Sequence, residues 1–162
     1  MKKKINPRAE LISLMRGFFV CPIIAFLHYN NLIEKIIYKN FNHNSFKIIK
    51  NKAYFEKILD YLVSLGLLSK YQNKFKSTSL GRKIFLRSGS FLLLHSYKPF
   101  VNNLEKSLIK SNKILTSCDR SQNVIGSGST NNKKFFPKAI ELVKNEKIGL
   151  IADIGCGDGN FL

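Results

Sequence analysis

The chain has 162 residues, 44% of them hydrophobic and 12% aromatic, which is enough apolar material for a core and excludes disorder of the whole chain. Lys and Arg number 27 against 10 Asp and Glu, a formal net charge of +17. Such a balance raises nucleic acid or an anionic surface as a partner. Residues 1–110 hold 20 basic and 5 acidic side chains, whereas residues 111–162 hold 7 and 5. The basic residues are overwhelmingly Lys, and Asn, Ile and Phe are abundant beside them. A+T-rich codon usage produces that joint enrichment by itself, so the charge reads either as codon bias or as a binding surface.

Cys21, Cys118 and Cys156 are far apart and odd in number, with no C-x-x-C pair. Neither a zinc site nor a disulfide framework follows, no metal is expected, and a reducing cytoplasm fits best. The apolar stretch Phe18–Leu27 is shorter than the roughly 18 residues of a spanning helix. Pro7, Arg8, Glu10, Arg16 and Pro22 interrupt its surroundings, and no small-residue cleavage site follows, so neither export nor membrane insertion is expected.

In chain order, Leu11 to Ile37 reads as helical with apolar residues on more than one face, and Pro22 is expected to kink or divide it. Asn40–Asn44 is a polar break. Tyr54, Phe55, Ile58, Leu59, Leu62 and Val63 then recur at helical spacing from Ala53 to Leu65, and Gly66 closes that helix as a left-handed residue. Leu67–Tyr71 and Lys74–Thr78 read as two short strands around a tight turn at Gln72-Asn73. A further helix begins at Ser79. A second long helical stretch is expected from Phe91 to about Ile114 with Pro99 inside it. Phe91, Leu92, Leu94, Phe100, Leu104 and Leu108 are its candidate core, and His95 reads as a packed histidine rather than a ligand or base.

Leu62-Val63-Ser64-Leu65-Gly66-Leu67-Leu68, the hairpin, and Phe75 to Gly81 with its Thr78-x-x-Gly81 together resemble a winged helix. The likeness is to the small N-terminal domain of many small-molecule methyltransferases, where it implies dimerisation and a cover over the active site. DNA-binding regulators share the pattern. A reader helix must offer phosphates a favourable face, yet Glu56 and Asp60 lie one turn apart on the outward side of Ala53–Leu65, opposed only by Lys57. Nucleic acid is therefore not expected as a partner. The rival reading, a basic winged-helix DNA-binding protein, rests on the net charge and on Lys70, Lys74 and Lys76 of the hairpin.

Chemistry is concentrated at the other end. Phe136–Lys144 reads as an amphipathic helix with Pro137 near its first turn, and Ile148–Asp153 as a buried strand. The strand runs into Asp153-Ile154-Gly155-Cys156-Gly157-Asp158-Gly159. A dinucleotide fingerprint needs glycine at 160, where Asn160 stands, and no G-K-[ST] follows, so neither a G-x-G-x-x-G site nor a P-loop is present. The D-x-G-x-G-x-G pattern resembles motif I of the class I methyltransferases. That resemblance implies S-adenosylmethionine as cofactor, Asp153 on its amino-acid moiety, and Gly155, Gly157 and Gly159 as the surface of closest approach. Cys156 and Asp158 fill variable positions, and no catalytic residue is named.

Arg120-x-x-Asn123-x-x-Gly126-Ser127-Gly128 resembles a stretch ahead of motif I in bacterial keto-acid methyltransferases and in some polyketide-associated ones. It reads equally as a flexible polar linker.

The expected architecture is mainly α. A winged-helix-like domain with a small β-hairpin (1–90) is followed by a connecting helix and linker (91–130), then by the first helix and strand of a truncated Rossmann-like α/β domain (131–162). The resemblance implies the N-terminal portion of a cytoplasmic enzyme that methylates a small molecule. The portion is expected to dimerise and to be inactive alone, since the family's ribose-gripping carboxylate and substrate contacts have no counterpart here.

Overall fold

The structure, a computed structural model, describes residues 6–109, 118–131, 135–146, 150 and 152. Helix α1 spans Pro7–Tyr29. Asn6 caps it, its side-chain carbonyl accepting from the amides of Arg8 (3.1 Å) and Ala9 (3.3 Å), and Pro7 occupies a first-turn position that needs no amide donor. The helix continues through Pro22 as one element, so the expected division falls elsewhere. The break comes at Asn31, whose φ of 57° turns the chain into α2, Ile33–Tyr38.

Phe41 then pairs with Phe75 through reciprocal backbone bonds, Phe41 N–H to Phe75 C=O at 3.0 Å and the reverse at 2.7 Å. Within the stretch Asn40–Asn44, read as a polar break, Phe41 thus forms a one-residue third strand. A 3₁₀ turn at His43–Ser45 carries a reciprocal cap between Asn42 and Ser45.

Helix α3, Lys52–Ser64, buries Phe55, Leu59 and Leu62, the apolar stripe expected from its spacing. Tyr54 departs from that stripe. It is 67% exposed, because the core lies on the Phe55–Leu59–Leu62 face and Tyr54 stands beside it. The C-terminus closes as expected: Gly66 has φ 70°, its N–H reaches Val63 C=O at 2.8 Å, and Leu67 N–H reaches Leu62 C=O at 3.0 Å.

Strands β1, Leu68–Tyr71, and β2, Lys74–Ser77, pair antiparallel in the register Leu68↔Ser77 to Tyr71↔Lys74. Gln72 and Asn73 both have positive φ (44° and 60°), as the two-residue hairpin turn matched to strand twist requires. Helix α4, Ser79–Phe85, is capped by Thr78, whose hydroxyl accepts from Gly81 N–H at 2.9 Å. The core joins these pieces. Phe75, with no exposed surface, stacks on Phe41 at 5.9 Å, Phe46 meets Phe41 and Phe55 edge-on, and buried Ser77 donates to Ile36 C=O at 2.6 Å.

The long helix expected from Phe91 is three short ones: α5 (Ser88–His95), α6 (Lys98–Asn102) and α7 (Leu104–Ile109). Pro99 sits in the first turn of α6, where a proline starts a helix rather than interrupting one. Of the expected core there, Leu92 is buried and Phe91 half-buried, whereas Leu94, Phe100, Leu104 and Leu108 are exposed.

The stretch Cys118–Ser129 is no flexible linker. Arg120–Asn131 forms helix α8, which packs along α5. Asp119 caps it, its carboxylate accepting from Gln122 N–H (3.2 Å) and the Ser121 hydroxyl (2.7 Å). Helix α9, Phe136–Asn145, matches the expected amphipathic helix with Pro137 in its first turn. Of the expected buried strand only Leu150 and Ala152 are described, both exposed and neither in a strand; the glycine loop, with Asp153, Gly155, Cys156, Gly157 and Gly159, lies outside the described residues, as do positions 110–114.

Candidate functional site

Two regions of the described chain carry polar chemistry, and one carries a large apolar surface. The first is the wing against α3. Lys70 of β1 reaches both outward carboxylates of α3, its Nζ 3.1 Å from Glu56 Oε1 and 2.8 Å from Asp60 Oδ1, and it lies over the Phe75 ring at 5.0 Å. The two carboxylates hold the Lys70 ammonium above its usual pKa, chiefly through their hydrogen bonds. His43 Nδ1, buried and without a hydrogen bond, lies 3.5 Å from Glu56 Oε2. The acidic face expected on α3 is therefore real, and it neutralises the wing lysine nearest to it. Lys57, Lys74 and Lys76 remain exposed. A phosphate approaching this face meets ion pairs that would have to break before Lys70 could serve it.

The second region is a cavity of ≈ 360 Å³ between α1, α2, α5 and α8, lined among others by His28, Glu34, Tyr38, Ser88 and Ser129. His28 bridges three helices: Nδ1 lies 2.8 Å from Ser88 Oγ, and Nε2 lies 3.1 Å from Ser129 Oγ. A neutral imidazole has one donor and one acceptor nitrogen, and a hydroxyl serves either, so both nitrogens are satisfied in either tautomer. Both His28 hydrogen bonds run to hydroxyls, so the group reads as a clamp on α8 rather than a nucleophile with its base.

Burial lowers the His28 pKa. Folding therefore favours the neutral ring. This contribution to stability is complete above the unfolded value of about 6.5 and is lost as pH falls below it. Protection of the α8 amides, taken relative to the intrinsic exchange rate at each pH, is expected to fall as the pH drops from 7 toward about 5. In His28→Gln, which has no proton to gain there, that pH dependence should disappear while exchange in α3 keeps its own. Unchanged pH dependence in the variant would show that His28 is not the titrating group.

His95, expected as a packed histidine, is one: Nδ1 lies 2.8 Å from Gln122 Oε1 of α8. Ser96, fully buried, completes the seam, its carbonyl accepting from Asp119 N–H at 2.7 Å and its hydroxyl from Asn123 Nδ2 at 3.1 Å. The function of Arg120–Gly128 as a docked helix escaped the sequence reading. Its signal was the pairing of Gly126 with Gly89, visible only once α5 is placed beside it.

The third region is apolar. A groove of ≈ 610 Å³ runs between α1 and α3, walled by Phe19, Pro22, Phe26, Tyr54, Ile58 and Tyr61. Tyr54 and Ile58, read as core, are its walls. Among the described residues no group of three or more His, Cys, Asp or Glu could hold a metal ion, and Cys21 and Cys118 are free thiols. Cys21 donates weakly to Phe91 C=O, and burial raises its pKa.

Helix, one-residue strand, 3₁₀ turn, α3 and two-stranded wing make up a winged helix, and the comparison with known families agrees. The family model described as the AprA winged helix domain matches residues 16–111, more than half of the chain. No curated protein matches it.

Proposed function

We propose a function from one premise: the chain belongs to the AprA winged helix domain family. On that premise it is the N-terminal portion of an S-adenosylmethionine-dependent methyltransferase acting on a small molecule in the cytoplasm. The observation that carries the reading is the order of the sequence, a winged helix followed by Asp153-x-Gly155-x-Gly157-x-Gly159 directly after an apolar run.

The donor set suits the cofactor. A carboxylate accepts hydrogen bonds from an ammonium group, and glycines without Cβ let backbone amides come close to a ligand. S-adenosylmethionine supplies an electrophilic methyl group when bound. Asp153 would hold the methionine moiety, and Gly155, Gly157 and Gly159 would let the loop close around it. Rate enhancement in such a transfer rests mainly on proximity and on in-line orientation of the acceptor. The winged helix would contribute a wall over that site and the contact between two subunits.

A DNA-reading role is not favoured. Glu56 and Asp60 occupy the face that would meet phosphates, and they hold Lys70. The test is calorimetric titration of S-adenosylmethionine into this chain and into a version extended through the downstream reading frame. Binding by the extended protein is expected, weakened at least about 10-fold by Asp153→Ala, the loss that follows when a charged hydrogen-bond partner is removed. No binding by either form, together with salt-sensitive binding to duplex DNA, would overturn the reading.

A further inference from the structure

The cavity beside His28 continues past α5. It shares Leu86, Gly89 and Ser129 with a second cavity, of ≈ 570 Å³, set between the end of α4, the first turn of α5 and the last turn of α8. The two parts of this cleft differ in charge. Lys83 and Arg87 line the second part, and its other polar side chains are the hydroxyls of Ser90, Ser129 and Thr130. Among the described residues no carboxylate lines it, and Glu34 belongs to the first part.

The two cations are placed by α4. Lys83 lies in its last turn, and Arg87 Nη1 donates to Lys83 C=O at 3.2 Å, which holds the guanidinium against that turn. This bond uses one of the five N–H donors of the group. Neither cation has a salt bridge among the described residues.

The hydroxyls are placed by the α5–α8 seam. Ser90 Oγ and Thr130 Oγ1 lie 3.4 Å apart, and Thr130 donates to Gly126 C=O at 2.8 Å, so Ser90 keeps its own proton for Thr130 or for a ligand. Ser129 Oγ lies 3.1 Å from His28 Nε2. When that nitrogen carries the imidazole proton, Ser129 accepts, and its O–H is free to donate into the cleft. Positive charge and hydroxyl donors together are the complement of an oxyanion.

We propose that this cleft binds a small phosphomonoester of a polyol. Its phosphate lies between Lys83 and Arg87, with Ser90 and Ser129 donating, and its organic part extends into the ≈ 360 Å³ cavity beside His28. A phosphate carries about −1.5 to −2 charge at pH 7 and three acceptor oxygens, enough to engage two cations and two hydroxyls together. At the other end Asn31, Glu34 and Tyr38 offer oxygen acceptors to sugar-like hydroxyls, while the Glu34 carboxylate would repel a second phosphate. Both cavities have the size of small-molecule sites, about 300–1,000 Å³. The proposal goes beyond methyl transfer and uses neither the glycine loop nor S-adenosylmethionine.

Calorimetric titration of the full chain, without cofactor and at fixed ionic strength, with inorganic phosphate and with ribose 5-phosphate tests this. Ribose 5-phosphate is expected to bind at least about 10-fold more tightly than inorganic phosphate. Lys83→Gln and Arg87→Gln are each expected to weaken it at least about 10-fold, with far-UV circular dichroism unchanged, since both side chains are exposed. Lys74→Gln and Lys76→Gln, on the wing, control for the net charge of +17 and should bind as the parent does. Because α8 supplies one wall, saturating ribose 5-phosphate should raise hydrogen-exchange protection of α8 more than that of α3.

No binding of either compound, or binding that survives Lys83→Gln and Arg87→Gln, overturns the proposal. Equal loss in the wing variants does so too, by showing diffuse attraction to the whole surface. Ribose 5-phosphate that binds no better than inorganic phosphate overturns the role given to the cavity beside His28. Displacement of ribose 5-phosphate by duplex DNA, with DNA binding lost in Lys83→Gln, would assign the two cations to nucleic acid instead. Failure of S-adenosylmethionine binding would leave these results untouched, so the two readings fail separately.

Discussion

Replacing Gly81 by Ala is expected to destabilise the winged helix by about 3 kcal/mol, at the upper end of what overpacking costs. The reason is the seam between α4 and the end of α3. Thr78 caps α4 by accepting from Gly81 N–H at 2.9 Å, while its hydroxyl lies 2.7 Å from Gly66 C=O and 3.2 Å from Leu67 C=O, and Thr78 N–H reaches Leu67 C=O at 3.1 Å. These bonds draw the first turn of α4 onto the Gly66-Leu67 peptide. A Cβ at Gly81 would run into the carbonyl oxygen and carbon of Leu67, which are backbone atoms and cannot rotate away.

Either the Thr78 cap or the wing must then shift, and the wing is tied to the Phe75 core. At roughly 2–4 °C per kcal/mol, the midpoint of thermal unfolding should drop by about 6–12 °C. Gly17→Ala is the internal control: nothing lies within 4 Å of a Cβ there, and an exposed helical position gains up to about 1 kcal/mol from the exchange. Equal melting of the two variants would refute the close-approach account of Gly81.

Gly126→Val is expected to detach α8 from α5 without unfolding the winged helix. A Cβ at Gly126 would lie 2.5 Å from Leu93 N, 2.8 Å from Leu93 Cα and 2.9 Å from Gly89 O, all atoms of the α5 backbone. At Gly89 a Cβ would lie 2.7 Å from Ser129 Cβ. The two helices thus meet backbone to backbone, and valine adds two further carbons that a helix crossing this tight cannot absorb. The local cost is about 3 kcal/mol.

The buried cluster that includes Phe41, Leu59 and Phe75 contains no residue of α8, so global stability should fall far less than protection of α8. Hydrogen exchange followed by mass spectrometry should show α8 amides exchanging near the rate of an open segment while α3 and the wing keep theirs. Cooperative loss of both regions would mean that α8 belongs to the same folding unit. No change in either would mean that the seam is looser than drawn.

The winged helix was legible because each of its signals is local. The stripe of α3 follows from Phe55, Leu59 and Leu62 at helical spacing. The left-handed stop follows from Gly66, and the hairpin from Gln72-Asn73 between two short strand-like segments. The acidic face of α3 was legible too, since Glu56 and Asp60 fall one turn apart. What could not be read was which lysine answers it, because Lys70 arrives only when the wing folds back onto α3.

The largest misreadings concern apolar residues whose spacing is right but whose neighbours are missing. Tyr54 and Ile58 share the helix face that spacing assigns to the core, yet they wall an open groove between α3 and α1. Leu94, Phe100, Leu104 and Leu108 are apolar at plausible positions, but they are spread over three short helices and stay exposed. Composition misled at Arg120–Gly128, where small polar residues suggested a linker. Helix α8 forms there because Asp119 caps it, and because small side chains are what allow it to lie flush on α5.

What the sequence by itself determined is therefore the set of local choices: where helices stop, where the hairpin turns, which residues cap, and which loop carries the D-x-G-x-G-x-G pattern. Those depend on φ preferences and on hydrogen bonds between residues within a few positions of one another. Only the tertiary structure decided which apolar faces are used and which are left open, and which glycines stand for close approach rather than for flexibility. Burial is a property of two elements brought together, and no single segment carries that information.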